Sequence, residues 1–414
     1  MLEVKESQTN VKPVLVGSIL WIFAVATGAI VANTYYCQPI LPRVAATFHH
    51  SVASLTFVVT ATQLGYAVSL AFIVPLGDLV RRKKLIPAVF AVAGLGCALC
   101  AIAPSLTYLL IASVIVGAAS VGGQILVPFV ADFAPTDRRS RSIALLMSGL
   151  LTGILLARTF SGLVAQALGW RSVYFASMGI MLVLAVVLFL VIPDEPKRDH
   201  GNYGRLLVTT AQLLRREPIL LRRSVLGALV FGCFTVFWSS FSWQVSKPPF
   251  SYNSFTIGLF GIIGLSGVIA ANTVGRVADR HRGKTITYQV TVAAAAATLA
   301  SFVFFILGST SIVVIVFGVI LLDAGTQGVQ LSNQTLIYGL TTASRSRITS
   351  AYMFVYFLGG TVGSALTGVA LEHSGWRASS TVGLVLGVAA VGISIAELLR
   401  NRNLADAGCE VEVS

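Results

Sequence analysis

Two charged residues stand where charge is costly. Arg158 interrupts the apolar stretch Ser148–Gly162 (SGLLTGILLARTFSG), and Asp323 follows the unbroken apolar run 312–322. An arginine among apolar side chains has three uses. It can bind an anionic group through its planar fork, pair with a carboxylate, or stretch its stem until the head reaches water. If Arg158 pairs with Asp323, protonating the acid releases the pair, which is a means of coupling to protons. Other groups able to hold a small molecule are Gln63, Tyr66, Gln124, Trp238, Gln327, Gln330, Tyr352 and Tyr356. Their amides can hydrogen-bond, and their rings can stack on a planar or cationic molecule. The competing place for aromatics is the membrane interface, which suits Trp243 and Tyr36, near the ends of apolar runs. The five histidines fall between these runs, and the cysteines form no framework. No metal centre, disulfide or cofactor is expected. Gly283-Lys284-Thr285 lacks the earlier glycine of a phosphate loop, since Ala278 stands there.

The elements that position these residues follow from composition. The 414-residue chain is 56% hydrophobic and 11% charged, against about 25% charged in soluble domains. Its net charge of +13 lies in short clusters between apolar runs, which argues against a nucleic-acid partner. Runs of about 20 apolar residues span a bilayer as helices, which satisfy their own backbone there. Twelve such spans are predicted, at about 14–36, 55–76, 85–103, 107–131, 142–165, 173–193, 224–245, 254–277, 285–308, 311–336, 347–371 and 376–397. The basic clusters alternate. Arg81 to Lys84, Arg138 to Arg141, Arg280 to Lys284 and Arg345 to Arg347 lie on one side with the linker, and only Arg43, Arg171, Lys247 and Arg377 on the other. The positive-inside rule assigns the rich side and both termini to the cytoplasm. Within the linker, Leu206, Leu207, Thr210, Leu213 and Leu214 fall at helical spacing beside arginines. They suit either a helix on the inner leaflet or a solvated connection.

The chain also repeats itself. Met147 and Met353, Gly153 and Gly359, Gly162 and Gly368, and the tripeptides Gly169-Trp170-Arg171 and Gly375-Trp376-Arg377 all match at one offset of 206. Gln124 and Gln330 keep the same register, while Asp78 and Asp279 are 201 apart. The predicted organisation is therefore a cytoplasmic tail (1–13), a six-helix bundle (14–193), a cytoplasmic linker (194–223), a second six-helix bundle (224–398) and a second tail (399–414). Matched halves with a site between them are a transporter architecture.

At this point the sequence resembles the major facilitator superfamily, in a bacterial branch close to the 12-helix drug:proton antiporters. Gly275-Arg-Val-Ala-Asp279-Arg280-His-Arg-Gly283-Lys284 is similar to that family's loop signature, with the second glycine displaced by one. Asp78-Leu-Val-Arg81-Arg82-Lys-Lys84 is a weaker first-half copy, with Val74 and Leu79 at the signature's first Gly and its Arg. The resemblance implies that Asp78, Arg81, Arg82, Gly275, Asp279 and Arg280 form a conformational switch. Two features depart from the antiporters: Ser113 stands at their span-four Arg, and Ile154 at their span-five Pro.

Spans three, six, nine and twelve are nearly free of polar groups and are expected to face lipid. Polar residues in spans one, two, four, seven, ten and eleven should line an aqueous cavity. Small residues recur every fourth position at Ala61/Gly65/Ser69, Gly149/Gly153/Ala157, Gly267/Ala271/Gly275 and Gly359/Gly363/Thr367. Such stripes allow close backbone approach, and the resemblance implies that these four spans meet between the halves. The expected function is alternating-access secondary transport by a monomer, and the family points to proton-coupled export of a small amphiphilic organic compound. Proton-coupled import or uniport of a small metabolite, anionic if Arg158 binds it, is the alternative. A non-transporting receptor is a third reading, although no sensory or enzymatic domain is visible.

Overall fold

The computed structural model describes residues 17–135, 138–194, 202–264, 284–340 and 345–412. Among them the regular structure is entirely helical. Spans begin where short polar residues can cap them. The Ser51 side chain accepts from the Ser54 N–H ahead of Val52–Phe72, Ser105 caps Leu106–Ala119 in the same way, and Asn253 caps Ser254–Leu259. Among the described residues, nine helices are long and apolar enough to cross a membrane. One of them, Arg347–Asn403, contains two spans across a kink at Ser374 and Gly375. The shorter apolar pieces Ser18–Ala32 and Ser254–Gly264 lie where spans one and eight are predicted.

The sequence repeat reappears as repeated packing. A Cβ on Gly153 would lie 2.5 Å from the Gly28 Cα, and one on Gly359 would lie 2.5 Å from the Ala228 Cα. Spans one and five, and spans seven and eleven, therefore touch backbone to backbone, as small residues permit. Gly169 and Gly375 both have positive φ, 87° and 66°. Each turns the chain from one span into the next with a conformation open mainly to glycine.

The halves meet along two helix pairs. Span two runs antiparallel to span eleven, with Thr60 Oγ1 2.9 Å from Ser364 Oγ and the Tyr66 and Phe357 rings 4.2 Å apart. Span five packs on span eight, where Gly162 abuts the Gly258 backbone and Thr159 Oγ1 donates to the Gly258 carbonyl at 3.1 Å. Spans two, five, eight and eleven thus meet between the halves among the described residues, but their small-residue stripes pack inward: Gly65 on Val114, Gly149 and Gly153 on Ala24 and Gly28, and Gly359 and Gly363 on Ala228 and Gly232, each within its own half. Gly267, Ala271 and Gly275 lie outside the described residues. At the end poor in charge the halves are tied by polar links. Arg43 Nε donates to Ser254 Oγ at 3.1 Å while another of its nitrogens reaches Gln166, and Ser54 Oγ donates to Glu372 at 2.8 Å. One hydrophobic cluster straddles the halves, joining Tyr66, Ala67, Leu70 and Val121 to Phe231, Ile348, Tyr352 and Tyr356.

Large apolar residues of the lipid-facing spans are exposed, including Leu95, Val183, Leu190, Leu307 and Val385. In water such a surface would drive aggregation; in a bilayer it is the matching solvent. Two features differ from the predicted spans. Span one stops being α-helical after Ala32, passing through turns, a 3-10 turn at Gln38–Ile40 and a separate helix Leu41–Phe48. The linker holds a helix, Tyr203–Arg216, whose Leu213 and Leu214 rest on the straddling cluster. Its Tyr203 hydroxyl donates to the Phe72 carbonyl at 2.7 Å, so this helix docks on the basic end of span two.

Candidate functional site

Span five delivers Arg158 to the seam between the halves. Its backbone is crowded by Gly258 and Gly261, so the side chain turns into the interface and is 2% exposed. Nε donates to Gln38 Oε1 at 2.8 Å. Gln38 can reach it because span one has already broken. The guanidinium carbon lies 3.8 Å from the centre of the Trp238 ring, with Tyr35 and Phe234 at 5.1 and 5.6 Å. A desolvated cation–π contact of this kind contributes about 2 kcal/mol. The head group does not snorkel outward; it is enclosed by aromatic rings. One nitrogen, Nη2, is buried without a hydrogen-bond partner, which costs about 1–3 kcal/mol when nothing fills the position.

Asp323 approaches the same place from span ten and is 5% exposed. Its Oδ2 lies beside Gly264, and Oδ1 is buried without a hydrogen-bond partner. Asp323 and Arg158 interact electrostatically, yet among the described residues they form no ion pair within 4.0 Å. The Trp238 indole N–H approaches the carboxylate without reaching normal hydrogen-bond geometry, and Nε1 is left unpaired. Trp238 therefore lies between a cation from one half and an acid within its own half.

The remaining predicted residues divide between this seam and other networks. Gln63 is fully buried with both amide atoms unpaired. The repeat-related Gln124 and Gln330 each meet a tyrosine: Gln124 Nε2 donates to the Tyr66 hydroxyl at 3.4 Å, and the Tyr356 hydroxyl donates to Gln330 Oε1 at 3.3 Å. Gln327 is half-buried, one turn beyond Asp323. Tyr352 accepts from Asn333 Nδ2 at 3.3 Å and belongs to a network nearer the basic end. Of the switch residues, Arg82 is 3% exposed and binds Asp132 at 2.9 Å and the Gly77 carbonyl at 3.1 Å, with Asp78 at 4.0 Å. Arg81 is exposed. Gly275, Asp279 and Arg280 lie outside the described residues.

Sequence reasoning counts Arg158 as the lone basic residue well inside a span and gives Arg223 to the linker; the structure corrects this. Helix Pro218–Val245 starts earlier than predicted, and Arg223 is wholly buried within it. Its Nη2 lies 2.7 Å from Glu397 Oε2, its Nη1 reaches Thr291 and Asn333, and its guanidinium lies over Tyr288 at 4.5 Å. The clue was Pro218, which is favourable in a first helical turn and disfavoured deeper. The unpaired hydroxyl of Ser242 on span seven, which lines the cleft with Arg158 and Trp238, is a second feature of the seam.

This geometry, two helical halves enclosing buried ions, agrees with the comparisons to known proteins. Residues 22–364 match the profile of the Major Facilitator Superfamily, and the chain belongs to that family. It is 38% identical over 372 residues to the uncharacterized transporter YgaY of Escherichia coli O157:H7, covering 89% of this chain and 93% of that one. It is 32% identical to the "Probable transporter SCO4007" of Streptomyces coelicolor over 90% of this chain and 86% of that one. A bacterial homologue of the lysosomal transporter Spinster, solved in an inward-facing, occupied conformation, superposes with a TM-score of 0.70 at 14% identity, covering 92% of this chain and 96% of that one. The nucleoside transporter NupG does so with the same score and identity, over 91% and 98%. The fold is that of the superfamily, and the protein is a multi-pass membrane transporter rather than an enzyme.

Proposed function

We propose that the chain exports a small amphiphilic organic compound from the bacterial cytoplasm in exchange for protons, by alternating access. The observation that carries this reading is that Arg158 and Asp323, from opposite halves, converge on Trp238 inside the interface. Rocking the halves apart separates the two charges, and a proton on Asp323 cancels their attraction. The protonation state of Asp323 then biases the equilibrium between the two arrangements. Substrate would lie against Arg158, Gln63, Tyr66, Gln124, Trp238, Gln327, Gln330 and Tyr356. Tyr352 would brace the site from the basic end, while Asp78, Arg81, Arg82, Gly275, Asp279 and Arg280 would latch the cytoplasmic loops. In this reading the bundles 14–193 and 224–398 move as units around the linker 194–223, with both tails in the cytoplasm and a monomer as the working form.

Export is supported by similarity to the "Probable sugar efflux transporter" of Helicobacter pylori, 25% identical over 66% of this chain and 69% of that one. Import or uniport of an anionic metabolite draws on the same Arg158. Flux in proteoliposomes under an imposed pH gradient separates these readings, because an antiporter follows the gradient and a uniporter ignores it. Undiminished proton coupling in Asp323→Asn would remove Asp323 from the mechanism.

A further inference from the structure

We infer that the cleft between Gln38, Arg158 and Ser242 is an oxyanion subsite, which takes the carboxylate of a small substrate whose apolar body lies on Trp238, Phe241 and Ile257. The inference rests on reading the seam as the substrate path and adds the chemical class of the substrate. The cleft is lined by Gln38, Pro39 and Arg158 from the first half and by Trp238, Phe241, Ser242 and Ile257 from the second. Its polar atoms are donors in want of an acceptor. Arg158 Nη2, Gln38 Nε2 and Ser242 Oγ are all buried without a hydrogen-bond partner, while the Trp238 N–H is turned toward Asp323.

The one amide acceptor in the lining is already used. Gln38 Oε1 receives the Arg158 Nε proton, which fixes the orientation of the amide and turns Nε2 away as a free donor. Asp323 does not line the cleft. A cationic ligand would therefore meet the Arg158 charge with no anion in the lining, and a neutral amide would leave Arg158 with only the attraction of Asp323, which stays beyond 4.0 Å. A planar carboxylate answers both needs. The Trp238 ring holds the guanidinium by its face, leaving the edge of the fork for two parallel hydrogen bonds. In this conformation the cleft is narrower than a water molecule, so its donors gain partners only when the halves part. A ligand that bridges both halves then distinguishes the open from the closed arrangement, as transport requires.

The test is thermal unfolding of the purified full-length protein with acetate, benzoate, benzamide or benzylamine, since a ligand that binds the folded state raises the melting temperature. Benzoate is expected to stabilise, acetate less, and benzamide and benzylamine least. Ser242→Ala should weaken benzoate binding about tenfold, the loss of one charge-assisted hydrogen bond. Gln38→Glu should abolish the benzoate response while the protein stays folded, because its own carboxylate fills the position beside Arg158. Stabilisation by benzylamine or benzamide equal to that by benzoate overturns the subsite. So does a benzoate response untouched in both variants, or no response to either carboxylate. This readout is independent of flux. Benzoate binding without flux in vesicles rejects the transport mechanism and keeps the subsite; pH-driven flux with cation binding alone does the reverse.

Discussion

The Arg158 guanidinium lies 3.8 Å from the centre of the Trp238 indole, and the two residues belong to different halves of the molecule. The contact spans the seam that must open and close, and it fixes the plane in which the guanidinium presents its free edge. Trp238→Phe keeps a ring face and removes the N–H, whereas Trp238→Ala removes both. Initial flux in proteoliposomes should fall by less than about tenfold for the phenylalanine variant and by more for alanine, given about 2 kcal/mol for a desolvated cation–π contact. Equal losses would shift the role of Trp238 from its face to its N–H.

Arg158→Lys retains charge but loses the fork and the stacked plane. Flux is expected to drop at least about tenfold, with the melting temperature little changed. Normal transport by this variant would mean that a point charge suffices.

Ser54 and Glu372 join the halves at the end poor in charge, 2.8 Å apart. A Ser54→Cys, Glu372→Cys double variant should form a disulfide under mild oxidation. If that end must open in each cycle, oxidation should stop flux and a reductant should restore it. Full activity of the oxidised form would exclude opening there. Cys37, Cys97, Cys100 and Cys233 are buried and free, and the variant carries Cys409→Ser to remove the remaining native thiol.

Arg223 and Glu397 form a buried pair with side-chain exposures of 0% and 7%. Removing one partner leaves an uncompensated charge and costs about 3–5 kcal/mol, whereas replacing both with apolar residues costs far less. Glu397→Ala should lower the melting temperature sharply, and Arg223→Met with Glu397→Leu should recover most of the loss. A double variant as unstable as the single one would show that Arg223 acts mainly through Thr291 and Asn333.

Not every acid can report on proton coupling. A hydrogen bond from Lys83 Nζ at 2.8 Å holds the exposed Asp194 carboxyl below the ordinary aspartate range. A carboxyl lowered in the folded state contributes stability above its unfolded pKa, about 3.9, and loses it as pH falls through the folded value. Asp194→Asn should therefore leave both melting temperature and flux unchanged in their pH dependence between about pH 6 and 8. A shifted flux profile in that range would move the proton site to this surface pair.

The membrane spans, the repeat and the isolated Arg158 and Asp323 were legible because each is a contrast along the chain: charge against apolar run, or one segment against its copy. Arg223 was hidden because its neighbours Arg215, Arg216 and Arg222 give it the look of a solvated cluster, while its partner Glu397 lies 174 residues away. Gln38 as the partner of Arg158 was equally hidden. Its position depends on span one ending at Ala32 and continuing as turns, and no proline or glycine marks that break inside Asn33–Cys37.

Gly153 presses on Gly28 within its own half, while Arg158, five residues on, faces Trp238 and the start of span eight across the seam. The two contacts lie on nearly opposite sides of one rod, because five residues of α-helix turn through about 500°. Spinning that rod about its axis would unseat both contacts at once, and sliding it lengthwise would drive backbone into backbone at Gly28. Leaning remains, with spans one and five tipping together as a single lever. Span five is therefore held to span one inside its bundle, and a graft that replaced span five alone would bring the Trp238-facing side without its fulcrum.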